Sequence, residues 1–458
     1  MGYDTGMDNS IDTISAKTIN DTLDSEPIIE ALDDTENPLP ARPCVFVVHA
    51  SVGSGHRSAA IAVGQAFEEL RDSGARIGTS QTLVPADLDV EVIDILDFGR
   101  VVFDGDKTAS MFTGFTRPIY DLTWRFTLTG RLLWGGGTCW SRIMYPKFTD
   151  YVREKQPIAI VCTHIVGANV AAGARMLTGQ NYPILSVPTD YETEGMWPHK
   201  QTDAFCVATE AMAETLRPRL IPERNILLTG IPTRKDFRQT YDRQEVREKL
   251  GLPQDKKVIL ALAGAYLPRP YIHFRQALDQ VLPCMHRFDD MHLVIISGND
   301  GEYADHLRRT IDDLGVTNVT VLDYVNEMAA LMAASDLAIC KSGGLTVTEC
   351  LCSQTPMILM GQAYGQEKAN VLMLTSLGAA MHVTTARELI DALRNFSEKP
   401  EIMKALLINS NIVRRPNAAP DIAQAAFNLT ALEKSEMHTD RKKHFMHFYW
   451  GKKPAHTR

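Results

Sequence analysis

From Cys44 onward, short apolar runs alternate with segments of helix type, and this alternation constrains the chain more than any other feature. The first runs are Cys44–His49, Val90–Ile95, Ile158–Thr163, Ile184–Pro188, Ala204–Ala208 and Asn225–Thr229. Helical stretches such as Ser58–Arg71, Tyr145–Lys155 and Val166–Met176 lie between them. The register then restarts with Val258–Ala263, Leu293–Ser297, Val319–Leu322, Leu337–Cys340 and Met357–Met360. Strands separated by helices form parallel sheets covered on both faces. The expected fold class is therefore α/β, with two doubly wound domains and a boundary within the polar segment Arg234–Lys256. In such sheets ligands bind beyond the carboxyl ends of the strands, so two facing domains put a site in the cleft between them.

The remaining organisation follows from charge. The chain has 458 residues and a formal net charge of −9. Residues 1–40 hold ten acids against Lys17 alone, which accounts for that charge and leaves the body near neutral. The segment reads as a disordered acidic tail without the basic and apolar regions of a signal peptide. The expected division is 1–40 tail, 41–235 N-terminal domain, 256–400 C-terminal domain, and 401–458 C-terminal helices with a basic-aromatic tail. No run approaches the roughly 18 apolar residues of a membrane span. The eight cysteines are scattered, mostly within apolar runs, and read as buried reduced thiols. Nucleic-acid binding is disfavoured, because the body has no net positive charge and no recognition motif.

Two glycine loops stand at strand ends. The stretch Lys341–Asn370, KSGGLTVTECLCSQTPMILMGQAYGQEKAN, runs strand, glycine pair Gly343-Gly344, helix, strand and polar cluster. Its glycines let a backbone approach a phosphate, and its helix N-terminus offers unpaired N–H groups and partial positive charge. Glu349, Gln366, Glu367 and Asn370 add acceptors for hydroxyls. Together these suit a nucleotide-sugar. The second loop is His49–Ala60, HASVGSGHRSAA, with Gly53, Gly55 and then His56 near a helix start. It is no dinucleotide fingerprint, since Ser58 stands where a third glycine is needed, and it lacks the lysine of a P-loop. It presents one imidazole to the cleft, and histidine is the commonest general base.

In combination these motifs resemble one family. Ser51–Ala60 is similar to the S-x-G-x-G-H-x-x-A-A signature of monogalactosyldiacylglycerol synthases and bacterial diacylglycerol glucosyltransferases. Lys341–Asn370 resembles the K-x-G-G-x-T-x-x-E…P…GQE-x-x-N pattern of glycosyltransferase family 28. Thr163-His164, Thr189-Asp190, Trp197, Asp203 and Gly230-Ile231-Pro232 fall between in the family's order. The resemblance implies the GT-B fold, two Rossmann-like domains around a cleft. It implies inverting transfer of a hexose, glucose or galactose, from a UDP-sugar to the hydroxyl of diacylglycerol. Other readings are N-acetylglucosamine transfer to an undecaprenyl-pyrophosphate lipid, and a nucleotide-sugar-binding protein without transferase activity.

By the same resemblance, Lys341, Ser342, Gly343, Gly344 and Thr346 lie at the UDP diphosphate, and Glu349 takes the ribose hydroxyls. Gln366 and Glu367 hold the sugar's hydroxyls, Asn370 is a further substrate-binding residue, and Gly53, Gly55 and His56 face the acceptor and the anomeric carbon. His56 or Asp190 is the base, with Lys341 and Arg234 as candidate cations. No cofactor and no metal are implied; Asp87-Leu88-Asp89 and Asp104-Gly105-Asp106 read as solvated turns. The family's second glycine-rich loop is here reduced to Gly264, followed by Tyr266 and Pro268. A lipid acceptor calls for work at an anionic membrane surface, with the protein cytoplasmic and peripheral on the inner face of the membrane. The segment 111–147, with Trp124, Arg125, Arg131 and Trp134 among its aromatic and basic residues, suits that contact.

Overall fold

The computed structural model describes residues 42–78, 81–100, 143–193, 197–198, 201–219, 221–263, 272–363 and 366–432. Residues 1–40, Gly264, Asp104 to Asp106, and Trp124, Arg125, Arg131 and Trp134 lie outside the described residues, so the readings placed on them carry forward untouched.

Fourteen strands are described. Six form one parallel sheet, in the order β4 (Asp89–Asp94), β1 (Cys44–His49), β5 (Ala159–Cys162), β6 (Ile184–Ser186), β7 (Ala204–Val207), β8 (Ile226–Leu228). A second parallel sheet has the order β11 (Val319–Leu322), β10 (Met291–Ile296), β9 (Lys257–Leu262), β12 (Leu337–Cys340), β13 (Met357–Met360), β14 (Ala380–Val383). The short antiparallel pair β2 (Arg76–Ile77) and β3 (Thr82–Leu83) is a satellite. In both sheets the chain reverses its direction of winding beside the first strand, β1 or β9. Each reversal opens a crevice at the carboxyl edge, where ligands of such sheets bind.

The apolar runs are the strands because their residues are buried on both faces. All of β1, β5, β12 and β13 is buried. The buried cysteines follow suit: Cys44, Cys162, Cys206, Cys340, Cys350 and Cys352 are free thiols inside the protein. One apolar cluster is continuous across the two sheets, running from Phe46 and Phe148 through Tyr191 to Val347 and Leu351.

The end of the described chain returns to the first sheet. Helix Pro400–Val413 packs on the second half, where Ser410 Oγ donates to the Ala379 carbonyl. Helix Ala418–Leu432 then buries Ile422, Ala423, Ala426 and Phe427 against the first half, with Phe427 edge-on to Phe67. Arg414 Nε donates to the Cys352 carbonyl between them. The last two helices therefore strap both halves together. Among the described residues no helix is long and apolar enough to cross a membrane.

Candidate active site

Both glycine loops lie at carboxyl edges and lead into helices whose first turns abut. Helix Ser54–Asp72 starts after Gly53, whose φ of 89° is a conformation that favours glycine. It therefore begins four residues before the Ser58 expected from sequence and carries His56 in its first turn. Helix Gly344–Cys352 starts after Gly343. A Cβ built on Gly55 would lie 3.7 Å from the Cβ of Leu345.

His56 is partly buried and held from two loops. Its Nδ1 lies 2.9 Å from the carbonyl oxygen of Thr163, just past β5, and 2.9 Å from Thr189 Oγ1, past β6. Thr163 Oγ1 donates back to the His56 carbonyl at 2.9 Å. A carbonyl only accepts, so Nδ1 carries the proton and Nε2 keeps the lone pair. Nδ1 donates in the same way once the ring is charged, so proton uptake at Nε2 disturbs no bond.

The ring of His164 meets His56 edge-on, centroids 4.6 Å apart. The Val166 N–H donates to His164 Nδ1, which fixes that ring as the neutral Nε2–H form. Burial pushes His164 well below its ordinary value, and His56 and His49 add to this. Burial also lowers His56, while the Asp190 charge and the Thr163 carbonyl act in the opposite direction. His56 is thus a neutral acceptor near pH 7 with a carboxylate nearby to stabilise its charged form.

Asp190 faces the second half. Asn370 Nδ2 donates to Asp190 Oδ1 and to the Ser342 carbonyl, both at 2.8 Å, and the Tyr191 N–H donates to Asn370 Oδ1 at 2.8 Å. Asn370 is fully buried. Its amide makes one accepted and two donated bonds, all to protein. Thr348 Oγ1 donates to the Gly344 carbonyl at 2.7 Å, so the Tyr191 hydroxyl, 3.1 Å away, donates to Thr348. Gly344 is the point of closest approach. A Cβ there would stand 2.0 Å from the Thr189 carbonyl oxygen and 2.7 Å from Asp190 Oδ1.

The other expected residues divide. Lys341 Nζ pairs with Glu367 Oε1 at 3.6 Å beside Gly343, and Gln366 directly precedes the helix Glu367–Ser376. Thr346 is half-buried in the Gly344 helix. Glu349, one turn further on, is pushed up to about 7 by burial, with Arg234 the charge that opposes this. Arg234 also lies over the Phe237 ring. Asp203 is structural: it forms a buried pair with Arg175 and accepts the Ile184 N–H. Asp87 and Asp89 are exposed on either side of buried Leu88. Among the described residues no three His, Cys, Asp or Glu side chains are grouped to hold a metal ion.

Sequence reading did not assign roles to Thr163, Thr189, Tyr191 or Thr348. The usable signal for the first two was position, since both follow strands whose carboxyl ends face the cleft.

Comparison with known proteins fits this layout. The family model described as Glycosyltransferase family 28 C-terminal domain matches residues 273–419. The one described as Monogalactosyldiacylglycerol (MGDG) synthase matches residues 113–233. Over those two stretches the chain is similar to the two families. Among its relatives is a processive diacylglycerol beta-glucosyltransferase of Bacillus licheniformis, 28% identical over 246 residues, 54% of this chain and 62% of that protein. The same-named protein of Bacillus subtilis is 26% identical over 294 residues, 64% of this chain and 73% of the relative. The match thus spans less than two thirds of the Bacillus licheniformis relative.

Solved structures give the fold. MurG of Acinetobacter baumannii has a TM-score of 0.51 at 16% identity, covering 84% of this chain and 99% of that one. MnaA of S. aureus, in a co-structure with UDP, has a TM-score of 0.56 at 12% identity, covering 86% and 98%. The architecture is GT-B. Of the two motifs, Lys341–Asn370 lies inside the family 28 match, and the His56 loop lies before both matches.

Proposed function

We propose that this chain transfers a hexose from a UDP-sugar to the hydroxyl of diacylglycerol at a membrane surface, with inversion at the anomeric carbon. The observation that carries this reading is the setting of His56: Nδ1 is committed to the Thr163 carbonyl, so Nε2 holds a lone pair at the joint between the two halves. The kinship with processive diacylglycerol beta-glucosyltransferases supports the lipid acceptor, and the UDP of the MnaA co-structure supports the donor class.

In the proposed step His56 Nε2 takes the proton of the acceptor hydroxyl. That oxygen bonds to the anomeric carbon as the carbon–oxygen bond to the diphosphate breaks, and the electron pair leaves with UDP. A positioned base contributes typically ~10²–10⁴-fold. Asp190 stabilises the imidazolium that forms, and the first turn of the Gly344 helix and Lys341 meet the leaving charge. Action at an anionic inner membrane face would draw on the segment holding Trp124, Arg125, Arg131 and Trp134.

The test is lipid analysis after incubation with diacylglycerol vesicles and UDP-glucose or UDP-galactose in parallel. A monohexosyl lipid product is expected, and its absence with either donor despite measurable UDP binding sinks the enzyme reading. His56→Ala should abolish turnover and keep UDP affinity; a loss of only a few-fold would remove His56 as the base.

A further inference from the structure

We propose that Asn370 is a positioning residue: it clasps the Thr189–Tyr191 loop of the first half onto the helix Gly344–Cys352 of the second, and so sets His56 only when the halves are closed. The role of His56 rests on the function proposed above. The clasp rests on geometry alone.

Asn370 lies in the polar cluster whose Gln366 and Glu367 the sequence assigns to the sugar, and is itself expected to bind substrate. Its side chain is fully buried and each of its bonds ends on protein: Tyr191 N, Asp190 Oδ1 and the Ser342 carbonyl. Two of the three cross between the halves. The third holds the residue just before the glycine pair. The task needs a side chain that donates twice and accepts once, and asparagine is the short residue that does so. Aspartate would only accept, and would set two carboxylates against each other beside a carbonyl.

A second bond runs parallel, from the Tyr191 hydroxyl to Thr348 on the same helix. Thr189, next to Asp190, carries the hydroxyl on His56 Nδ1. The path from Ser342 to His56 is therefore continuous through Asn370 and three consecutive loop residues. Opening it frees one of the two Nδ1 contacts and lets water reach the ring. Around His56 the titratable groups are Asp190 on this loop, His164 past β5 and His49 at the end of β1, the last itself facing Asp94 and Arg57. Of these, the clasp moves Asp190.

The test uses the whole chain carrying Asn370→Asp, Asn370→Leu or Tyr191→Phe. Hydrogen exchange is followed at residues 188–193 and 343–348, with no need of turnover. Steady-state kinetics are run with UDP-glucose and diacylglycerol vesicles across pH. The expected result for Asn370→Asp is faster exchange in both segments, a kcat lower by about 10- to 100-fold, and a smaller change in donor KM. Its acid limb should move to higher pH as the ring becomes solvated. Tyr191→Phe, which removes one bond and little volume, should show the same pattern more weakly, and it decides the matter should the Asn370 variants fail to fold. Wild-type exchange in both segments overturns the clasp. Faster exchange with unchanged kcat and unchanged acid limb overturns the positioning role. If the wild-type protein makes no glycolipid, the proposed function falls, and the exchange result alone decides the clasp.

Discussion

A Cβ on Gly344 would stand 2.0 Å from the carbonyl oxygen of Thr189, so the first turn of the helix Gly344–Cys352 is the seat on which the N-terminal half rests. The sequence reading gave the glycine pair to phosphate approach. In the structure the space beside the second glycine is filled by the protein's own loop. Gly343 differs, since a Cβ there would meet nothing nearer than Lys341 Cε at 3.5 Å.

Gly344→Ala should therefore hold the halves apart. Alanine suits a helix better than glycine by up to about 1 kcal/mol, so the helix itself will not melt. The expected result is a larger radius of gyration by small-angle scattering and a transfer rate down by about 100-fold, as for a misplaced reacting group. Gly343→Ala should leave the radius of gyration as it is. A Gly344→Ala protein with wild-type shape and rate would show that this close approach has no part in turnover.

Among the described residues, Thr189 supplies the one side-chain hydrogen-bond partner of His56 Nδ1, the other partner being the Thr163 backbone. Thr189→Val keeps the shape and removes the hydroxyl. Losing one neutral hydrogen bond of two costs about 1 kcal/mol, or roughly fivefold in kcat. The loss should be far smaller than for His56→Ala. Equal losses in the two variants would mean that the Thr163 carbonyl does not hold the ring by itself.

The acid limb of kcat/KM reports the base in the free enzyme. Burial sets His56 below 6.5, and the active form is neutral, so activity should persist below pH 6.5 and fall as pH drops through the lowered value. Asp190 acts against burial there. Asp190→Asn should move the limb to still lower pH while some activity remains. If instead both activity and limb disappear, Asp190 is the base and His56 its partner.

How much of this was legible in the sequence depended on what each residue touches. Strands buried on both faces announce themselves as apolar runs, and β1, β12 and β13 begin and end where those runs do, as does the half-buried edge strand β11. The strand β14 is not legible as an apolar run, because the exposed His382 interrupts the four residues Ala380–Val383. Loop chemistry after a strand was readable for His56, Asp190 and Lys341–Asn370, since glycines and polar residues break the apolar pattern there. Which of these residues bond to one another was not. Asn370 and Tyr191 lie 179 positions apart, and Thr189 and His56 lie 133 apart. Such pairings depend on how two separately folded sheets meet, and no local spacing encodes that.

Glu349 gives a prediction that needs no substrate. Its carboxyl is pushed by burial from an ordinary 4.5 up to about 7, with Arg234 only partly offsetting the effect. A carboxyl raised on folding binds its proton more tightly in the folded state than in the unfolded one. The wild-type protein is therefore penalised as pH rises through the window from 4.5 to about 7, and the penalty is complete above it. A shift of this size is worth roughly 3 kcal/mol, less whatever solvent relieves. Glu349→Gln carries no such charge. Its thermal stability should match wild type near pH 4.5, pull ahead as pH rises, and keep a constant lead above pH 7. Denaturation across that range checks this. Parallel curves for the two proteins would mean that the Glu349 charge is solvated in the unliganded site.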